Sequence, residues 1–130
     1  MGAAMHAEIV RFFDDFVEAF AAFDGKKVGS LFVAPAVALK RDGTLQGFSS
    51  VQEIEAYYQA ALDQYKASGC KQCRYLDLET QPLNEKTATA IASWDLMRAD
   101  GSVATHWRQA YFLVHKNGNW RAYGSAFIAA

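Results

Sequence analysis

The segment after Gly69 constrains the fold most. Four long stretches, roughly 70–81, 86–98, 103–116 and 119–128, are cut by turn signals at 82–85, Asp100-Gly101 and Asn117-Gly118. A chain punctuated in this way reads as a four-stranded meander. The stretches are long against a typical strand of about five or six residues, so the sheet should twist and bend strongly.

Helical signals precede the meander. Ile9, Phe13, Phe16, Phe20 and Phe23 recur at helical spacing, joined by Val10 and Val17, while Glu8, Arg11, Asp14, Asp15 and Glu18 fill the other side. This pattern predicts an amphipathic helix over about 6–23. Residues 1–5 are expected to be disordered or an expression remnant, with Met5 as a natural start. A short second helix is expected over 26–33, with Val28, Leu31 and Phe32 inward and Pro35 ending it. "AVALKRDGTLQGF" reads as two strands about Asp42-Gly43. Ser50 and Glu53 have capping-box spacing, and Val51, Ile54, Tyr58, Leu62 and Tyr65 carry the period of a third helix that Gly69 closes. Helices on one side of an antiparallel sheet make an α+β fold.

The chain has 130 residues, which fits a single domain over 1–130. Nine Phe, six Tyr and three Trp must bury large flat surfaces, in a core or around a ligand. The net charge of −1 and the lack of a basic stripe argue against nucleic acid. No apolar run is long enough to span a membrane, and the N-terminus lacks a signal-peptide pattern, so a cytoplasmic setting with reduced thiols is expected. No His/Cys/Asp/Glu set has metal spacing, and neither a phosphate loop nor a serine elbow is present, so neither metal nor cofactor is expected.

The stretch "WDLMRADGSVATHWRQAYFLVHKNGNW" resembles the pattern W-x-L-x-R-x-D-G … F-x-V-x-x-x-x-G-x-W of the nuclear transport factor 2-like superfamily. "SLFVAPAVALKRDGTLQGFSSVQEIEAYY" is similar to its first hairpin leading into helix three. The resemblance covers nearly the whole chain. It implies a cone: a strongly curved antiparallel sheet wrapped around the long N-terminal helix, with two further helices, a pocket between sheet and helix, and often a homodimer through the outer sheet face. Isomerase-like members place a catalytic Asp where this chain has Leu39 and Lys40, a pocket Tyr near Phe16, and a second acid at Ala110 or Tyr111, so that machinery is absent. Association-domain-like members carry inward arginines at the positions of Trp94, Tyr111 and Phe127, which are aromatic here.

Three constellations follow from register. A two-residue turn at Asp100-Gly101 sets Trp94 opposite Trp107 and puts Trp94, Trp107, Gln109 and Tyr111 on one face. The resemblance makes that face concave, with Phe16, Phe20, Tyr58, Tyr123, Ser125 and Phe127 nearby. Together they make either a pocket for a flat ligand, with Gln109, Tyr111 and Ser125 as polar anchors, or a filled core. The opposite face holds Asp95, His106 and Arg108, a candidate acid–base set if it lines a pocket and an outward cross-strand ion pair otherwise. The last hairpin leaves the faces open: a plain two-residue Asn117-Gly118 turn would separate Tyr111 from Phe127, whereas a bulge or a longer loop would unite them. Cys70 and Cys73 form a CxxC pair at a strand start, where regular geometry sends them to opposite faces.

The leading expectation is a domain that binds a small, flat, mostly apolar molecule in the cone. An enzyme of cyclase, isomerase or dehydratase type, and a dimerisation module with no ligand, are the alternatives. Phe112 marks the outer face through which a homodimer is expected.

Overall fold

A computed structural model describes residues 2–130. The elements are α1 (Gly2–Ala21), α2 (Gly25–Gly29), β1 (Phe32–Leu39), β2 (Leu45–Phe48), α3 (Val51–Ala67), β3 (Cys70–Asn84), β4 (Thr87–Arg98), β5 (Val103–Lys116) and β6 (Asn119–Ala129). The strands form one sheet in the order β2-β1-β6-β5-β4-β3. This is the α+β cone expected from the sequence. One pair departs from the antiparallel rule: β6 returns alongside β1 in the same direction, which makes the sheet mixed.

The core forms where α1 meets the inner sheet face. Met5, Ile9, Phe12, Phe13 and Phe20 are buried along the helix. On β4, Ala88, Ala90 and Ala92 are all fully buried on the inner face. Their small side chains leave room for the helix, and the phenylalanines fill the space between. The helix begins four residues earlier than the aromatic period suggests. Residues 2–5 are helical rather than disordered, and Met5 is only 5% exposed because it extends the apolar stripe by one turn. Residue 1 lies outside the described residues.

The second helix is shorter than expected. It ends at Gly29, and Leu31 and Phe32 enter the core from a bend and from the start of β1. Pro35 sits inside β1 rather than after a helix, at a position where the pairing with β6 is irregular. Asp24 caps α2, its Oδ1 accepting from Lys26 N at 3.0 Å and Lys27 N at 3.2 Å. Gly25 lies against α3. Its N–H donates to Gln59 Oε1 at 2.8 Å, and Gln59 Nε2 donates to Phe23 O at 3.1 Å.

Bulges shape the sheet. Lys71 in β3, Ala104 in β5 and Tyr123 in β6 each stand without a partner where the register shifts by one. Such extra residues bend a strand and increase its twist, which helps the sheet curve around α1. Ser50 caps α3 by accepting from Glu53 N at 3.2 Å, and Glu53 Oε2 accepts in return from Ser49 N at 2.6 Å, a capping box displaced by one residue. Gly69 closes the helix with φ near 91°, a value that suits glycine.

Candidate functional site

Two bulges decide which side chains face inward. The loop between β4 and β5 is longer than a two-residue turn, spanning 99–102, with Arg98 N bonded to Ser102 O across it. The unpaired Ala104 then restores the register, so Trp94 still faces Trp107 and Asp95 still faces His106. The loop between β5 and β6 is the tight Asn117-Gly118 turn, with φ of 52° and 80°. Uninterrupted, it would separate Tyr111 from Phe127. The bulge at Tyr123 shifts the ladder, pairing Tyr111 with Ser125 and Gln109 with Phe127 on one inner face.

That face opens into a cavity of about 380 Å³. Of the ten residues expected to bind, nine line it: Phe16, Phe20, Tyr58, Trp94, Trp107, Gln109, Tyr111, Ser125 and Phe127. Tyr123 does not. As the bulged residue it is turned to the outer face, 39% exposed beside Phe112, with ring centroids 6.2 Å apart. The space is a cavity rather than a solid core, although part of the aromatic set does pack. Trp94 sits between Phe13 and Phe16, with centroids at 5.8 and 5.2 Å. Helix α3 covers the cavity with Tyr57, Tyr58, Ala61, Leu62 and Tyr65, spaced so that they share a face.

Two hydrogen bonds order the polar groups. Trp94 Nε1 donates to the Tyr111 hydroxyl oxygen at 2.8 Å, fully buried, and Trp107 Nε1 donates to Gln109 Oε1 at 2.6 Å. Burial pushes the Tyr111 phenol well above its usual value, with further upward pressure from neighbouring Tyr58 that the indole bond only partly opposes, so the hydroxyl keeps its proton. Burial also raises Tyr58 and pushes Cys73 up to about 12.

Lys40 and Arg41 also line the cavity. The parallel register sets Ala38 against Ser125 and Leu39 against Ala126, so the turn that follows β1 delivers both cations beside Phe127. The Arg41 guanidinium lies 4.8 Å from the Phe127 ring centroid, and Lys40 Nζ lies 5.6 Å from that of Tyr57. In the sequence both read as turn residues. The one signal that could have found them is that Lys40 stands where isomerase-like proteins carry an acid.

The candidate acid–base set lies elsewhere. Asp95, His106 and Arg108 are on the outer face, away from the cavity. Asp95 Oδ2 accepts from Arg74 Nε at 2.9 Å, and Oδ1 from His106 Nδ1 at 2.5 Å, forming a row across β3, β4 and β5. Arg108 contacts Ser93 Oγ at 3.0 Å and Glu79 Oε2 at 2.6 Å rather than Asp95. The side chains of Arg74 and His106 are 52% and 50% exposed, so water reaches the pair that covers Asp95. This is the outward ion-pair arrangement. Desolvation pushes the Asp95 carboxyl up, but the bonds from His106 and Arg74 outweigh it and leave the group below its usual range.

A pH-dependent result follows. A carboxyl depressed in the folded state stabilises above its unfolded pKa, and that contribution is lost as pH falls through the folded value. Asp95→Asn is expected to cost about 1–2 kcal/mol at pH 7, reduced by solvent access. The gap between the urea midpoints of the variant and the parent should narrow as the pH falls below the ordinary carboxylate value of about 4. An undiminished gap at pH 3 would refute an electrostatic origin.

Cys70 and Cys73 are both free and buried. The expectation of opposite faces fails because bulged Lys71 turns the chain once between them, bringing both thiols to the core side. Cys73 lines the cavity.

Known proteins share this architecture. No curated protein sequence matches the chain. Among solved structures, a Nostoc punctiforme protein of unknown function with a cystatin-like fold superposes with a TM-score of 0.81 at 16% identity, covering 100% of this chain and 94% of its own. Aln2 from a Streptomyces species gives 0.80 at 18% identity, with 99% and 93% covered. A putative calcium/calmodulin-dependent protein kinase II association domain from Xanthomonas campestris gives 0.71 at 19%, with 95% and 86% covered. These likenesses concern the fold. In sequence, residues 7–127 match the family described as NTF2-like protein (DUF6841), and the chain belongs to that family.

Proposed function

We propose that this domain binds a small, flat, mostly apolar molecule in the cavity between α1, α3 and the inner sheet face. The observation that carries the reading is the cavity itself, about 380 Å³ and walled by aromatic side chains. That volume lies within the range of small-molecule sites, which are mainly apolar with a few placed polar groups. Its floor is rigid, because Trp94 and Tyr111 are packed and hydrogen-bonded to each other. An enzyme of cyclase, isomerase or dehydratase type would need a general acid or base in reach of the ligand. Asp95 and His106, the acid–base pair considered from the sequence, do not line the cavity, and burial holds the lining Tyr58, Tyr111 and Cys73 in their protonated forms, which favours binding.

A titration with 1-aminoanthracene, a flat neutral fluorophore, tests this. Its emission should rise saturably with the parent protein. Ala61→Phe, placed at the wall of the cavity, should abolish the rise while the far-ultraviolet spectrum is retained. A rise that survives this filling would place the probe elsewhere and defeat the proposal.

A homodimer through the outer face is a second, compatible reading. Val37, Phe112 and Tyr123 are 49%, 36% and 39% exposed, on adjoining strands around Gly124. Contiguous apolar side chains on a sheet face favour a partner surface. Phe112→Glu should therefore shift the mass measured by light scattering from dimer to monomer. A parent protein that is monomeric at high micromolar concentration would end this reading.

A further inference from the structure

The hydrogen bonds inside the cavity have a one-sided outcome. An indole N–H only donates, so each group that receives one must spend an acceptor. Trp94 takes up the Tyr111 oxygen in this way, and Trp107 takes up Gln109 Oε1. The Gln109 amide orientation is thereby forced, and its NH₂ remains to donate. The Tyr111 phenol keeps its proton, and no described residue accepts it. Gln109 and Tyr111 therefore each keep a donor to offer a ligand.

The charge is one-sided as well. Lys40 and Arg41 are the charged residues of the lining, and both are positive. Neither belongs to an ion pair among the described residues. The nearby acid, Asp42, is exposed, and its Oδ1 is held by Thr44 N at 2.9 Å and Thr44 Oγ1 at 2.7 Å. The two cations rest on the Phe127 and Tyr57 rings, which form the half-exposed part of the wall. The floor around Trp94, Tyr111 and Leu62 is buried. The cavity therefore has an apolar floor and a positive rim.

We infer that the ligand is a planar carboxylate. Its flat body lies among the aromatic side chains, its charge meets Lys40 and Arg41, and any oxygen on its body accepts from Gln109 and Tyr111. This rests on the binding reading above and adds the chemical class of the ligand. A neutral apolar molecule would leave the cations unused. A cationic one would meet like charge at the rim.

Two probes of the same shape separate charge from fit: 2-naphthoate and the neutral 2-naphthamide, each titrated by tryptophan fluorescence or calorimetry at low salt. The carboxylate should bind about tenfold more tightly, as expected for a partly screened ion pair. In a Lys40→Met, Arg41→Gln double variant the two affinities should fall within about twofold, through loss of naphthoate affinity alone. Retained naphthamide binding there shows that the cavity is intact. Gln109→Glu keeps the acceptor for Trp107 but puts a negative charge on the wall, and should weaken naphthoate selectively. Equal binding of the two probes to the parent protein overturns the carboxylate inference and leaves the binding reading standing. So does naphthoate affinity that the double variant leaves unchanged. Binding of neither probe at millimolar concentration overturns both.

Discussion

Trp94→Ala is expected to cost about 3–5 kcal/mol, a large part of the stability of a domain this size. Trp94 is 2% exposed and packs on Phe13, Phe16 and Tyr75. The void would be hard to refill, because Ala92, the next inward residue on its strand, offers no bulk, and the indole is held from both sides. The Tyr111 oxygen would also lose its donor in a buried setting, adding a desolvation cost. Trp94→Phe keeps much of the volume but loses the bond, so a smaller loss of about 1–2 kcal/mol is expected. Urea unfolding followed by circular dichroism gives both values. A cost below about 1 kcal/mol for the alanine variant would mean that α1 collapses onto β4, so that the cavity floor is not rigid.

Gly25→Ala carries the second large effect, for the opposite reason. A Cβ there would fall 2.7 Å from both Gln59 N and Gln59 Cβ and 2.8 Å from Gln59 Cα. Two of those atoms belong to the α3 backbone, so only a shift of the helix relieves the clash. Overpacking of this kind costs about 1–3 kcal/mol. The helix that must move carries Tyr57, Tyr58 and Tyr65, so probe binding should weaken along with stability. Gly29 provides the control. Its nearest atom is Glu55 Cγ at 2.5 Å, the bend of a flexible side chain, with Glu55 Cα farther off at 3.4 Å. Gly29→Ala should cost less than Gly25→Ala, since turning the Glu55 side chain about its Cα–Cβ bond moves its Cγ without moving the helix backbone. Equal melting temperatures for the two variants would contradict a rigid contact between α2 and α3.

Much of the site is legible in the sequence because alternation is a strong signal in long strands. Trp94, Trp107, Gln109 and Tyr111 fall on one face by parity alone, and the hairpin sets Trp94 opposite Trp107. That pairing holds, but through a longer loop and the compensating extra residue Ala104. Where a lone bulge intervenes, parity fails. Counting back from Ser125 and Phe127 puts Tyr123 inward, yet it is the unpaired residue itself. The same counting sends Cys70 and Cys73 to opposite faces, which Lys71 defeats. A bulge depends on how neighbouring strands stagger and curve, and no local residue type announces it. Lys40 and Arg41 escape notice for another reason. A charged pair beside Asp42-Gly43 reads as a solvated turn, and its place at the cavity depends on the parallel docking of β1 against β6, a contact remote in sequence.

Tyr123 also bears on how chain length can vary in a fold of this kind. Since it stands outside the ladder, its removal would leave Ser125 opposite Tyr111 and Phe127 opposite Gln109. The same holds for Lys71 and Ala104 on their strands. These three sites are places where a relative could be one residue shorter and still present the same inward side chains. A single deletion between bulge and cavity would instead turn the wall inside out. Alignments of such chains should therefore open their gaps at the bulges rather than only in the loops.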